Sequence, residues 1–161
     1  MRTRWIAVLT VITGLVAGAL AVMVPVDVAF AHCQIPCGIY NDDMRFTMLE
    51  EHITTIEKSM KLIVELSKEP SEHANQIVRW TLNKEKHADA LAGIVTEYFL
   101  QQRIKPVASI DGEDGKKYLE KLRLCHELLV ASMKSKQTVD LQYVEKLRSS
   151  LGDFQKLYQA S

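Results

Sequence analysis

The chain has 161 residues, with 20 lysines and arginines against 20 aspartates and glutamates, and 47% of its residues are hydrophobic. A formal charge of zero excludes a nucleic-acid binder held by neutralising phosphates. With 25% charged residues, 7 glycines and 4 prolines, the composition is that of a folded chain and not of a disordered or fibrous one.

The apolar residues are unevenly spread, 22 of them falling in residues 1–31 and 54 in residues 32–161. Arg2 and Arg4 form a positive start, and Trp5 to Val26 carries no charge. Such a run is long enough either to span a bilayer or to serve as a secretory signal. Pro25 and Asp27 interrupt it, and Ala29-Phe30-Ala31 is a small-x-small cleavage site. The pattern predicts a signal peptide over 1–31, cut after Ala31. The leader has no Arg-Arg pair, which favours general secretion. The protein is then exported, periplasmic or extracellular, and meets a membrane only during export. Cleavage makes His32 the N-terminus and leaves 18 basic against 19 acidic residues. A balance so close to neutral offers little global steering of a charged substrate, so any attraction must be local.

The next segment, His32-Cys33-Gln34-Ile35-Pro36-Cys37-Gly38-Ile39-Tyr40, is too short and too rich in helix breakers to be a helix. Two cysteines four apart, bent by Pro36 and Gly38, can bring both sulfurs to one metal, and the adjacent histidine adds an imidazole. With a free amine on His32, the amine, the Cys33 amide nitrogen and the Cys33 thiolate form two fused five-membered chelate rings. The Cys37 thiolate completes a square of two nitrogens and two sulfurs. Square-planar donors of this kind select nickel(II) or copper(II), and thiolates tend to reduce copper(II), so nickel is the better match. An axial His32 imidazole and the anionic donors favour the trivalent metal, which makes one-electron redox catalysis possible. The same cysteines are equally compatible with a disulfide in an exported protein, leaving Cys125 as the odd thiol. A copper-binding terminus also fits, and a closed zinc site lacks its remaining ligands.

From residue 41 onward the periodicity is helical, with no alternating strand. Asn41, Asp42 and Asp43 suit a helix N-terminus, and a first helix is expected from about Asp42 to Lys68 on a stripe of Leu49, Ile53, Ile56, Met60 and Ile63. Pro70 stops it, and Ser71 is the expected cap of a second helix from about Glu72 to Gln102, with Ile77, Trp80, His87, Leu91, Ile94 and Tyr98 on its apolar face. Lys105 to Gly115 reads as a long loop. A third helix, about Lys116 to Lys134, carries Tyr118, Leu122, Cys125, Leu129 and Met133, and Thr138 is the expected cap of a fourth, about Val139 to Tyr158, with Leu141, Val144, Leu147, Leu151, Phe154 and Tyr158. The fold class is all-α: an antiparallel four-helix bundle over 41–161, led by an irregular metal-binding hook at 32–40.

The helices lack other chemistry. No histidine follows a glutamate by three positions, which excludes the di-iron carboxylate pattern, and no phosphate loop, nucleophile elbow or Cys-x-x-Cys pair is present. His52, His73 and His126 read as solvated or partly satisfied helix residues and Cys125 as a small core hydrophobe.

His-Cys-x-x-x-Cys-Gly-x-Tyr at a newly made N-terminus, with Pro36 before the second cysteine, a bundle of this length behind it and Tyr98-Phe99 near the end of the second helix, resembles nickel superoxide dismutase. The resemblance implies disproportionation of two superoxide radicals to dioxygen and hydrogen peroxide, with one nickel ion per subunit cycling between +2 and +3. It implies that His32 gives amine and axial imidazole, Cys33 amide and thiolate, and Cys37 the second thiolate. Tyr40 and Tyr98 would line the approach to the metal and order water or anion there. It also implies a homohexamer in which neighbouring subunits clamp each hook. In the family a glutamate on the first helix and an arginine on the second orient the axial imidazole. Here Glu50 and Glu51 are the candidates for the first, and His87 falls at the position of the second. Gln34 stands where some members have an acidic residue. The alternative function is an exported, non-catalytic helical protein that binds metal or is disulfide-linked.

Overall fold

The computed structural model describes residues 42–160. The expected signal peptide at 1–31 and the expected hook at 32–40, with His32, Cys33, Cys37 and Tyr40, lie outside the described residues. Four long helices account for nearly all of the described chain: α1 (Asp43–Leu66), α2 (Pro70–Gly93, continued by a π-helical stretch Ile94–Arg103), α3 (Glu113–Gln137) and α4 (Gln142–Gln159). Short connections between α1 and α2 and between α3 and α4 force each pair antiparallel. Helix α2 packs on α1 and α3, and α4 packs on α3 and α1, which closes the bundle.

The expected caps fall differently. No helix has a side-chain cap at its N-terminus. Asp42 is the N-cap residue of α1, but its carboxylate is used elsewhere. Asn41 lies outside the described residues. Ser71 is already inside α2, which starts on Pro70, because proline needs no partner for the N–H it lacks. Thr138 ends α3 and does not start α4; its hydroxyl accepts from Asp140 N–H at 3.1 Å in the turn between them. Gly112 has φ 94°, a left-handed conformation natural to glycine. The long loop is shorter than expected, since α3 begins at Glu113 and takes Gly115 into its first turn. A Cβ on Gly115 would stand 2.1 Å from the Ile110 carbonyl oxygen, so only glycine fits this approach of loop to helix.

The core follows the predicted stripes on α1 and α4: Leu49, Ile53, Ile56 and Met60 face Val144, Leu147, Leu151 and Phe154 in the buried interior. On α3 the buried line runs through Leu124, Cys125, Leu128, Ala131, Ser132 and Ser135, while Met133 is 43% exposed. Serines enter this core because each hydroxyl reaches a carbonyl: Ser132 donates to Ala88 O at 2.7 Å and Ser135 to Ser132 O at 2.7 Å. Helix α2 buries Lys84, Ala88 and Leu91. Its π-helical extension buries the adjacent residues Tyr98 and Phe99 together, with Ile104 N–H returning five positions to Phe99 O at 2.8 Å. Phe46, Phe99, Phe154 and Tyr158 stack there with ring centroids 5.0 to 5.7 Å apart, at the end of the bundle where α1 begins.

Lys84 is the one buried ammonium among the described residues. Its Nζ donates to the carbonyls of Lys136 at 3.0 Å and Thr138 at 2.7 Å, closing the C-terminal end of α3 where unpaired carbonyls concentrate negative potential. Burial holds its pKa below the ordinary lysine value, against a smaller upward pull from Glu85. Removing the ammonium orphans two carbonyls. Lys84→Met is therefore expected to lower the unfolding free energy by about 1–3 kcal/mol in urea titrations; an unchanged midpoint would show that water replaces both bonds without cost.

Candidate functional site

The first described residue, Asp42, is the root from which the hook leaves the bundle. Its carboxylate collects three donors from distant parts of the chain. Oδ1 accepts from the Tyr98 hydroxyl in a very short contact, and Oδ2 accepts from Arg103 Nη2 at 2.6 Å and from the Tyr158 hydroxyl at 2.7 Å. Arg103 Nε also donates to the Tyr158 oxygen at 3.2 Å. One side chain thus ties the start of α1 to the end of the π-helical stretch and the end of α4. The aromatic cluster lies directly beneath, since Tyr98 meets Phe99 edge-on at 5.2 Å and Tyr158 meets Phe46 at 5.7 Å. The guanidinium carbons of Arg45 and Arg103 sit 5.0 and 5.8 Å from the Tyr98 ring centroid.

This arrangement fixes protonation states. Burial alone would raise the Asp42 pKa, but the hydrogen bonds from Tyr98, Arg103 and Tyr158 outweigh it and hold the carboxyl below its ordinary value. Burial and the bond to Asp42 push the Tyr98 phenol up, and the same causes take Tyr158 to about 12. Both phenols are protonated donors at neutral pH. The hydrogen bond to Asp42, followed by that to Tyr158, raises Arg103 further above its already high value.

A second constellation lies along α1 and α2. His52 Nδ1 and His87 Nδ1 are 2.9 Å apart, with ring centroids 5.0 Å apart and nearly edge-to-face. One ring must donate an N–H and the other accept, so at least one is neutral. Burial, then the proximity of His87, lowers the His52 pKa, and Glu51 partly opposes this. The pair borders an open groove of about 450 Å³ that Thr47, Glu50, Glu51, Thr54 and Thr55 also line.

Several residues singled out in the sequence can now be placed. Tyr98 is only 3% exposed, with its hydroxyl on Asp42. Glu50, Glu51 and His87 converge on one groove, joined by His52, which is half-buried and partly satisfied by His87. His126 is exposed. His73 is half-buried and, with exposed Glu69 and Glu72, stands close enough to share an ion at the start of α2, though no ligand marks a site there. Cys125 is fully buried, with desolvation pushing its thiol to about 12, which makes it an inert core residue. The Asp42, Arg103 and Tyr158 network had no signal in the sequence, because its members lie 61 and 116 positions apart.

No curated protein and no solved structure matches the chain. A family described as nickel-containing superoxide dismutase matches residues 27–161, which takes in the whole of the hook and the whole bundle. The match covers all four helices of the scaffold, and the chain belongs to the nickel-containing superoxide dismutases.

Proposed function

We propose that the mature enzyme is exported, periplasmic or extracellular, begins at His32, and holds its nickel through the His32 amine and imidazole, the Cys33 amide nitrogen and thiolate, and the Cys37 thiolate. The family match across the hook carries this reading. The donors fit the metal, because two nitrogens and two thiolates satisfy planar nickel while copper(II) would oxidise them. Nickel bound there supplies the one-electron chemistry by which two superoxide radicals become dioxygen and hydrogen peroxide.

The chain's own residues anchor, orient and screen. Asp42 fixes the start of α1, two residues beyond Tyr40, a residue that would order water or anion at the approach to the metal. Tyr98, whose proton is committed to Asp42, acts as a positioning residue. The groove at His52 and His87 receives the His32 imidazole. Supporting this, the three positions that the family resemblance assigns to imidazole orientation, Glu50 or Glu51 and His87, all border it. It is also within reach: His52 lies about 14 Å along α1 from its start, and the ten residues from His32 to Asp42 extend at most about 36 Å. Here His87, paired with His52, takes the part of the family's guanidinium, and Glu50 or Glu51 that of its carboxylate. A homohexamer is the proposed assembly, and the exposed Val78 (56%) and Leu82 (61%), one turn apart on α2, give it an apolar face to bury.

Three outcomes follow for the assembled enzyme. Cys33→Ser and Cys37→Ser are each expected to abolish nickel binding, and one extra residue ahead of His32 to abolish rapid turnover by removing the amine from the chelate; full activity in the extended form would refute the donor set. His87→Ala is expected to cost about tenfold to a hundredfold in kcat/KM and to change the axial nitrogen hyperfine pattern in the paramagnetic spectrum, whereas an unaltered spectrum would place the imidazole elsewhere. Asp42→Asn is expected to lose about 1–3 kcal/mol of stability at pH 7. Because the folded carboxyl titrates below its ordinary value of 3.8, wild type keeps that advantage above this pH and loses it as acid protonates Asp42, so the two unfolding curves should converge in acid. A constant gap down to the lowest pH would contradict the charged network.

A further inference from the structure

His52 on α1 and His87 on α2 are both half-buried and meet Nδ1 to Nδ1 at 2.9 Å. The contact requires that one of these nitrogens presents a bare lone pair to the other. Two bonds of about 2.0–2.1 Å from imidazole nitrogens to one ion span about 2.9 Å when set at a right angle, and about 3.4 Å at the tetrahedral angle. The pair is spaced as neighbouring corners of a square or an octahedron, and a rotation of each ring about its side-chain bonds turns both lone pairs onto a common ion.

The surroundings suit a cation. Glu50 and Glu51, both exposed, line the open groove beside the pair, and no lysine or arginine stands among the described residues that border it. Imidazole nitrogens in planar or tetragonal geometry are the donors that nickel(II) and copper(II) prefer, whereas magnesium and calcium take oxygen ligands. No third side-chain ligand is in place. The one group of three that could share an ion among the described residues is Glu69, Glu72 and His73, which includes neither ring. An ion on the two histidines therefore keeps water at its remaining positions, which makes an open site and not a closed structural one. Held by two donors only, it exchanges with solution and is washed away on desalting, so it adds nothing to the nickel that stays with purified enzyme.

We propose that His52 and His87, through their two Nδ1 atoms, form a second, exchangeable metal site for nickel(II) or copper(II), which clips α1 to α2. On binding, the donor ring gives its Nδ1 proton to solvent and takes one at Nε2, so both rings stay neutral and no electron moves. The site needs nothing from residues 32–40. Its timing alone rests on the groove receiving the His32 imidazole: ion and imidazole are alternatives there, so the site serves the chain before the hook has closed on its own nickel.

The test is titration of the mature chain with the hook's donors removed, His32→Ala/Cys33→Ser/Cys37→Ser, using nickel(II) and copper(II) salts alone. One ion per chain should bind, copper more tightly than nickel. At a hundredfold excess over its dissociation constant the ion should raise the thermal unfolding midpoint by roughly 5–15 °C. The copper(II) form should show two imidazole nitrogens in its paramagnetic spectrum. Adding His52→Ala or His87→Ala should weaken binding at least about tenfold to a hundredfold and leave one imidazole nitrogen, while His73→Ala should change nothing. Binding that survives either groove substitution overturns the site, and so does binding lost in His73→Ala, which would put the ion at the start of α2. The parent chain decides the matter even where a variant fails to fold, since no binding, or fewer than two imidazole nitrogens, is equally fatal. The hook assignment fails separately, if Cys33→Ser enzyme keeps its nickel after desalting.

Discussion

A redox metal held by the first few residues of a chain keeps one geometry only if the place where those residues join the protein is fixed. Asp42 meets that requirement. Its carboxylate is the sole acceptor shared by Tyr98, Arg103 and Tyr158 among the described residues, and through them α1, the end of α2 and the end of α4 are clamped at one point. Charge-assisted bonds are the strong class of hydrogen bond, each contributing roughly 1.5–3 kcal/mol. Here they stand on a floor of Phe46, Phe99 and Phe154, whose rings cannot shift without disturbing all three helices. The π-helical stretch is part of the same device. By returning hydrogen bonds five positions instead of four, it turns Tyr98 and Phe99, neighbours in sequence, both inward, one to the carboxylate and one to the aromatic floor.

The bundle is asymmetric in how it treats charge. At the far end of α3, Lys84 is buried and fully satisfied by two carbonyls, a structural use of an ammonium. At the hook end, lysines are left unpaired around an open pocket. Along the flank between, His52 and His87 share one hydrogen bond beside an open groove. Basic side chains thus serve the scaffold in distinct ways: Lys84 closes a helix end and Arg103 holds the Asp42 carboxylate.

Much of this was legible in the sequence. Hydrophobic spacing located all four helices, since a buried stripe must recur at the helical period; on α1 and α4 the expected stripes are buried except at Ile63, Leu141 and Tyr158, which are half-exposed near the helix ends. The hook stands out in the sequence because chelation depends on residues close in sequence, and the family match spans it. The misses have a common cause. Asp42 read as a helix cap because aspartates before a helix usually are, whereas tertiary donors more than fifty positions away claimed its oxygens. Thr138 was displaced from α4 by the turn it forms at the end of α3. The partner of His52 was not identifiable because His87 lies on another helix, and Lys84 was not predicted to be buried because an ammonium enters a core only when carbonyls from elsewhere wait for it.

The central claim is that a processed N-terminus creates the metal site. The most direct measurement is intact-mass and N-terminal analysis, together with metal content, on one sample of enzyme purified from its own host. The account predicts a chain starting at His32 with one nickel per subunit and both hook cysteines reduced. A chain starting at any other residue, or a Cys33 to Cys37 disulfide with no nickel bound, would contradict it.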